Sequence, residues 1–85
     1  MIIRASSRLR KAYKKLPKSM KDAAEEMEKI FRVDPFNSRL NTHKLHGKYK
    51  DYWVFTISGQ YRIMFGFAKP GIIDSINIGT HEIYK

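Results

Sequence analysis

The stretch YWVFTISGQYRIMFGF, residues 52–67, decides how this chain folds. Its two halves are rich in aromatic and β-branched residues, and a Ser-Gly-Gln segment stands between them. Apolar runs of this length, separated by a turn that contains glycine, predict two antiparallel strands over residues 52–57 and 61–67. A β-hairpin is therefore the starting point for the rest of the molecule.

The length of the turn follows from the side chains, because cross-strand partners share one face of a sheet. A two-residue turn would pair Phe55 with Arg62 and bring charge into the apolar face. A three-residue turn, residues 58–60, pairs Phe55 with Ile63 and separates the two faces; Gly59 can take the left-handed conformation that such turns use. This register also predicts the pairs Trp53–Phe65, Ile57–Tyr61 and Thr56–Arg62. The core face then carries Trp53, Phe55, Ile57, Tyr61, Ile63 and Phe65.

The opposite face of this hairpin carries one charged residue among mostly apolar ones. Its members are Tyr52, Val54, Thr56, Arg62 and Met64. Arg62 is thus predicted to lie in the middle of the sheet on a largely apolar, concave surface. A guanidinium in such surroundings is costly unless an anion binds it.

Outward from the hairpin, residues 72–78 predict a third strand after the Ala-Lys-Pro-Gly turn, completing an antiparallel meander. Ile2 and Ile3 predict a short first strand. Residues 7–16 place Leu9, Ala12, Tyr13 and Leu16 on one stripe of a helix that ends at Pro17.

A second helix is predicted between Pro17 and Asp34-Pro35, ending near Val33. Ser19 followed by Asp22 resembles a capping box at its start. The two helices predict a hairpin whose apolar stripes need a sheet to cover. The fold class is α+β: an N-terminal strand and a helical hairpin packed on an antiparallel β-meander, with a short C-terminal tail, in one domain over residues 1–85.

The composition excludes several classes of function. The 85 residues contain no cysteine, which removes disulfides, thiolate metal sites and cysteine nucleophiles, and which fits a reducing compartment. There is no apolar segment of a secretory signal and no run of 18 apolar residues. We therefore expect a cytoplasmic protein without a membrane partner.

The positive charge is concentrated in the first part of the chain. The formal net charge is +9; residues 1–50 hold 14 bases and 5 acids, while residues 51–85 hold 3 of each. Up to Lys21 there are eight bases and no acid. Such a field attracts phosphates or an acidic partner, although a merely solvated basic face is the alternative.

A basic segment that contains His43 and His46 precedes the hairpin, in the sequence LNTHKLHGKYK. The two histidines have no Cys, Asp or Glu close by in the sequence, so a metal site there is disfavoured. The segment suits contacts with RNA, with Tyr49 or Tyr52 available for stacking. Alternatively, Leu45 and Tyr49 only anchor the loop. The residues expected to contact phosphates and bases are Lys11, Lys14, Lys15, Lys18, Lys44, His46, Lys48 and Tyr49.

The tail holds His81 and Tyr84, which directly follow the third strand. From there both can reach the outward face beside Arg62. Cleavage of RNA needs deprotonation of a 2′-hydroxyl, stabilisation of the phosphorane and protonation of the leaving oxygen. Histidine titrates in the useful range, and arginine binds phosphate.

Three ordered motifs make the chain resemble the RelE/ParE superfamily of type II toxins over nearly its whole length. Residues 43–53, HKLHGKYKDYW, resemble the HxLxG-aromatic-K-x-Y segment of YafQ-type toxins. Residues 61–65, YRIMF, resemble the YRxxY strand found through the superfamily, and residues 78–85, IGTHEIYK, are similar to the GTH tail of YafQ relatives.

This resemblance implies a metal-independent endoribonuclease, without a cofactor, that cuts mRNA in the ribosomal A site. It also implies an acidic antitoxin partner, with operator DNA bound only through the toxin–antitoxin complex. By the same resemblance, Arg62 binds the scissile phosphate and Tyr84 positions the substrate base. His81 acts as acid or base, and His43 is a second residue for proton transfer.

The chain departs from the YafQ pattern at two positions. Where YafQ-like toxins place a further histidine and an aspartate, this chain has Thr56 and Gln60, so the division of acid and base roles stays open. Two other functions also stay open: a ParE-like, non-enzymatic inhibitor of DNA gyrase, and an inactive basic RNA-binding relative. His43 and His81 favour the nuclease.

Overall fold

A five-stranded sheet, with two helices on one of its faces, makes up the fold. The computed structural model describes residues 1–85. The strands are β1 (Ile2–Ala5), β2 (His43–Lys44), β3 (Trp53–Ser58), β4 (Tyr61–Lys69) and β5 (Ile72–Gly79), and the helices are α1 (Ser7–Lys14) and α2 (Lys18–Val33). A tail turn, His81–Tyr84, follows β5 as a 3₁₀ helix.

The strand order is β1-β5-β4-β3-β2. The meander β3-β4-β5 is antiparallel as predicted, and β1 lies parallel to β5 at one edge. β2 was not predicted as a strand; it pairs with β3 at the other edge over two residues only. The predicted α+β class is confirmed, with a mixed sheet in place of a purely antiparallel one.

The central hairpin has the predicted register except next to its turn. Phe55 pairs with Ile63 and Thr56 with Arg62. The predicted pair of Ile57 with Tyr61 is wrong: Ser58 pairs with Tyr61 after a shift in register between Thr56 and Ser58. A β-bulge in β3 takes up the extra residue that the three-residue turn was predicted to hold. The residues of the hairpin therefore stay on their predicted faces of the sheet.

The first helix begins at a capping serine, whereas the second begins without a side-chain cap. The Ser6 hydroxyl accepts a hydrogen bond from the Leu9 amide at 3.0 Å and caps α1. The predicted capping box of α2 is wrong, because α2 begins directly after Pro17 and so has Ser19 inside its first turn. Asp22 instead accepts a hydrogen bond from Lys18 Nζ at 2.9 Å. Neither helix is long and apolar enough to cross a membrane.

The main core lies between the helices and the sheet and is centred on Phe31 of α2. The Phe31 ring stacks on Phe55 at 4.7 Å and meets the edge of Phe65 at 4.8 Å between centroids. The predicted core face of the hairpin is confirmed, since Phe55, Ile57, Ile63 and Phe65 are buried there and Trp53 and Tyr61 pack against them. The face that carries Arg62 is therefore turned away from the helices.

Candidate functional site

The sheet face opposite the helices has a small second core. Leu45, Val54 and Met64 are buried on it. The segment of residues 45–52 and the tail turn cover them, so this face is less open than the sequence predicted. The physical reason is that Val54 and Met64, which alternate with the core positions, also need cover. Tyr49, Tyr52, Ile76, Ile83 and Tyr84 supply part of it.

Arg62 lies at the border of this second core and is only partly exposed. Its Nη1 donates a hydrogen bond to the Tyr84 hydroxyl at 3.3 Å. Its Nε is buried and has no hydrogen-bond partner, and no carboxylate forms an ion pair with it. A buried, unsatisfied donor on a cation is costly, and an anion would relieve that cost.

The pairing register surrounds Arg62 with small neighbours. Thr56 lies beside it on β3 and Gly79 beside it on β5. The threonine side chain is too short to cover the guanidinium, and glycine has no side chain. The space above Arg62 and these two neighbours is therefore left to the tail turn. Sequence reasoning did not single out Gly79; its only signal was a glycine at the end of an apolar strand.

His81 opens the tail turn that brings Tyr84 to Arg62. Its side chain is 55% exposed, and its Nε2 lies 3.7 Å from the nearer carboxylate oxygen of Glu82. It makes no hydrogen bond with Arg62. The imidazole is thus free to approach a bound molecule, which agrees with a role in proton transfer without assigning one.

His43 lies on the same face of the sheet as Arg62, because it pairs with Val54 on the neighbouring strand. Two strand spacings, about 10 Å, separate their strands. The His43 Nδ1 lies 3.0 Å from the Asn41 carbonyl oxygen. Because a carbonyl only accepts, Nδ1 carries the proton, and Nε2 of the neutral ring is left free to accept one.

The remaining histidine, His46, is exposed, and no three His, Asp or Glu side chains are grouped so as to hold a metal ion. Tyr49 and Tyr52 are half-buried against the second core. The Lys48 ammonium lies 5.2 Å from the centroid of the Tyr49 ring. Leu45 and Tyr49 therefore anchor the segment on the second core, and contact of the half-buried Tyr49 ring with RNA stays a prediction.

The cationic residues predicted to bind RNA divide between the two sides of the sheet. Lys44, His46 and Lys48 belong to the segment that borders the Arg62 face. Those on and after α1 lie on the helical side and are exposed: Lys11, Lys14, Lys15 and Lys18. Of these, Lys18 is paired with Asp22, whose hydrogen bond raises the pKa of Lys18.

A groove of about 410 Å³ separates the two helices. α1 packs on β5 and α2 on β3, and Phe55, Ile63 and Ile78 form its floor. One rim carries cations of α1 and the other carboxylates of α2: Arg10, Lys14, Glu25 and Glu28.

The helices meet at Tyr13, beside this groove. The Tyr13 hydroxyl donates a hydrogen bond to Glu25 at 3.3 Å. Desolvation, followed by the neighbouring Glu25 carboxylate, raises the pKa of Tyr13. The groove is on the opposite side of the sheet from Arg62, so a molecule bound in it would not touch the guanidinium.

Solved structures of bacterial and archaeal toxins share this fold. A YoeB/ParE toxin from Agrobacterium tumefaciens superposes with a TM-score of 0.81 at 16% identity, covering 95% of this chain and 99% of that one. YafQ from E. coli gives 0.79 at 14% identity, covering 96% and 94%. RelE in the archaeal RelE-RelB complex from Pyrococcus horikoshii gives 0.73 at 20% identity, covering 93% and 92%.

The predicted RelE-like fold is therefore confirmed. No family model matches the sequence, and no curated protein is similar to it. The likeness is one of structure along nearly the whole chain.

Proposed function

We propose that this chain is the toxin of a type II toxin–antitoxin system and inhibits translation as a ribosome-dependent mRNA endoribonuclease in the cytoplasm. The observation that carries the proposal is Arg62, a guanidinium without a carboxylate partner that contacts Tyr84 on the sheet face turned away from the helices. The named toxins with the same fold support it.

Arg62 would bind the scissile phosphate of the message. A guanidinium offers parallel donors to phosphate oxygens and offsets the charge that grows on them during the reaction. A general base of the protein removes the proton of the 2′-hydroxyl, whose oxygen attacks the neighbouring phosphorus. The bond to the 5′-oxygen then breaks, and a general acid of the protein protonates that oxygen. The products are a 2′,3′-cyclic phosphate and a free 5′-hydroxyl.

Two imidazoles are available for these proton transfers. His43 would be the base, because its Nδ1 is held at the Asn41 carbonyl and Nε2 is free. His81 would be the acid, because its exposed ring stands in the same turn as Tyr84. Tyr84 would position the nucleobase next to the cleaved bond, and its hydroxyl would hold Arg62.

Recognition of the ribosome would rest on charge. Lys44, His46 and Lys48 border the proposed cleavage face and would contact RNA next to the message, with Tyr49 as their support. The cations on the helical side would face ribosomal RNA at a separate surface: Lys11, Lys14, Lys15 and Lys18. Binding to phosphates at two surfaces would release many counterions.

The groove between the helices would seat a segment of the acidic antitoxin. An amphipathic segment could bury its apolar side on Phe55, Ile63 and Ile78 and place acidic residues beside Arg10 and Lys14. Solved structures of relatives of this fold include a DinJ-YafQ toxin-antitoxin complex from E. coli. Operator DNA would be bound only by the complex with the antitoxin.

Controlled expression in growing bacteria tests the proposal, with 5′ ends of cleaved messages mapped on isolated ribosomes. The wild-type chain should stop growth and leave new 5′-hydroxyl ends, whereas Arg62→Ala should leave neither. DNA damage with intact messages would point to gyrase inhibition instead and overturn the proposal. Folded wild-type protein that leaves growth and messages intact would do so as well.

A further inference from the structure

The absence of a side chain at Gly79 allows the tail turn to lie against Arg62. A Cβ atom built on Gly79 would lie 2.8 Å from the Cγ2 methyl of Ile83. Carbon atoms do not approach so closely, and Ile83 is β-branched and therefore stiff at χ1. The tail turn can occupy its observed position only if residue 79 has no side chain.

The position of Gly79 in the sheet explains why this matters for the site. Gly79 is the cross-strand neighbour of Arg62. Ile83 packs against the second core from the place that a side chain at residue 79 would take. The next residue is Tyr84, whose hydroxyl accepts the hydrogen bond from Arg62 Nη1.

From these contacts we infer that Gly79 is a positioning residue for the proposed cleavage site. It acts through Ile83, whose methyl packs on the bare Cα of Gly79 and so sets Tyr84 against the guanidinium. The backbone of Gly79 does not itself require glycine, since its φ is not in the left-handed range. A substitution of Gly79 would therefore act by disrupting the close approach of Ile83, and not by straining the backbone. The inference rests on the proposed function only for its consequence in catalysis.

The first test is spectroscopic and needs no substrate. In the wild-type protein the Arg62 Nε proton should exchange slowly with water, because Nε is buried. In Gly79→Ala that proton should exchange faster, and the NMR signals of the Tyr84 ring should shift towards those of an exposed tyrosine. Signals identical to those of the wild type would overturn the inference.

Gly66 offers a matched control on the same strand as Arg62. A Cβ at Gly66 would meet the Tyr52 ring at 3.2 Å, a tight contact that does not involve the tail turn. Gly66→Ala should leave the Arg62 and Tyr84 signals unchanged. Equal shifts in both alanine variants would reveal general loosening and count against a specific role for Gly79.

Removal of the opposing methyl provides the second control. In an Ile83→Ala background, Gly79→Ala should cause no further change in the Tyr84 signals, because the clashing Cγ2 is gone. Should Gly79→Ala alone fail to fold, this double variant should fold. Failure of the double variant as well would overturn the inference.

Cleavage assays extend the test to function. Gly79→Ala should lower kcat about tenfold, as expected when a hydrogen bond to a charged group is removed. In a Tyr84→Ala background the same substitution should lower kcat less than about twofold, because both act through one contact. Independent effects would contradict the inference. A wild-type chain without nuclease activity would instead end the proposed function, and the NMR comparison would still decide the role of Gly79.

Discussion

The Nη1 atom of Arg62 lies 3.3 Å from the hydroxyl of Tyr84, a residue 22 positions further along the chain. This hydrogen bond joins the middle strand of the sheet to the tail turn. Tyr84 is the only side chain that forms a hydrogen bond with this guanidinium, whose Nε is buried and has no hydrogen-bond partner. The resulting uncompensated cation is the feature on which a phosphate would act.

Arg62→Ala should abolish RNA cleavage without unfolding the protein. Removal of one donor to the transition state commonly costs about 100- to 1,000-fold in rate. The substitution removes the cost of the buried, unpartnered Nε and also the hydrogen bond from Nη1 to Tyr84. Because these two effects oppose each other, the free energy of unfolding should change by less than about 1 kcal/mol. Single-turnover cleavage and urea denaturation measure the two quantities. Arg39→Ala, at an exposed arginine, is the control, and an equal loss of rate there would show that general charge suffices.

Substitution of either histidine should change the pH dependence of cleavage. His81→Gln removes the proposed acid and His43→Gln the proposed base, so each should flatten a different limb of the profile of kcat against pH. His46→Gln, which removes a proposed RNA contact but neither proton-transfer group, is the control: it should weaken binding and keep both limbs. A profile left intact by His81→Gln would exclude His81 as the proton donor.

Ribosome binding should weaken steeply with salt. Each lysine that binds a phosphate should add about 0.7–0.9 to the steepness of log K plotted against log salt. Replacement of Lys11, Lys14 and Lys15 by glutamine should therefore flatten the slope measured by sedimentation. The matched control is Arg32→Gln, because Arg32 is already paired with Glu28 at 3.2 Å. A flat response in the wild-type protein would mean that α1 contacts no RNA.

Acid should remove one contribution to stability. Arg4 donates to Asp74 at 2.7 and 3.0 Å, and this hydrogen bond lowers the pKa of Asp74. Asp74 therefore stabilises the fold above its unfolded pKa of about 3.9, and the contribution disappears as pH falls through the lower folded value. Asp74→Asn should be less stable than the wild type at neutral pH and equal to it in strong acid.

The size of this effect should be small because both side chains are largely exposed, at 59% and 42%. Thermal unfolding at several pH values measures it. Glu26→Gln, at an exposed carboxylate without an ion-pair partner, should follow the wild-type curve. Parallel curves for Asp74→Asn and the wild type would show that the Arg4 pair contributes nothing.

Phe31→Ala should destabilise the main core strongly. Phe31 is 1% exposed and contacts two rings of the sheet, and deletion of a buried phenylalanine costs about 3–5 kcal/mol. Val33→Ala, two residues away, is the control because Val33 is 88% exposed. Urea denaturation should show a large shift of the midpoint for the first variant only; equal midpoints would contradict the assigned core.

The sequence was sufficient to predict the helices, the meander and most of the hairpin register. Alternation of side chains placed Phe55 opposite Ile63 and Thr56 opposite Arg62, because a shift by one residue would have mixed the faces. The bulge at Ile57 escaped prediction, since a bulge changes the pairing without changing which side chains share a face. The predicted capping box is wrong because Pro17 takes the extended conformation of an N-cap, so that α2 begins at Lys18 and Ser19 lies inside its first turn.

The site could be predicted only in part, for a different reason. The place of Arg62 on the face opposite the core follows from strand periodicity, but the cover over that face, and the place of His43 on it, depend on contacts between distant residues. The contact of Ile83 with Gly79, which we infer sets Tyr84 against Arg62, joins residues of a strand and of the tail turn, and no local pattern contains that information. The two residues of β2 are too few to give a strand signal of their own.

The parallel pairing of β1 with β5 also orders events during synthesis. Ile2 pairs with Ile72, seventy positions away, so the edge of the sheet forms only after β5 has left the ribosome. Contacts this far apart in sequence slow folding, and until then the nascent helices lack part of their apolar support. Because β5 is the last of the five strands to be synthesised, the edge that β1 and β5 form is the last part of the sheet to assemble.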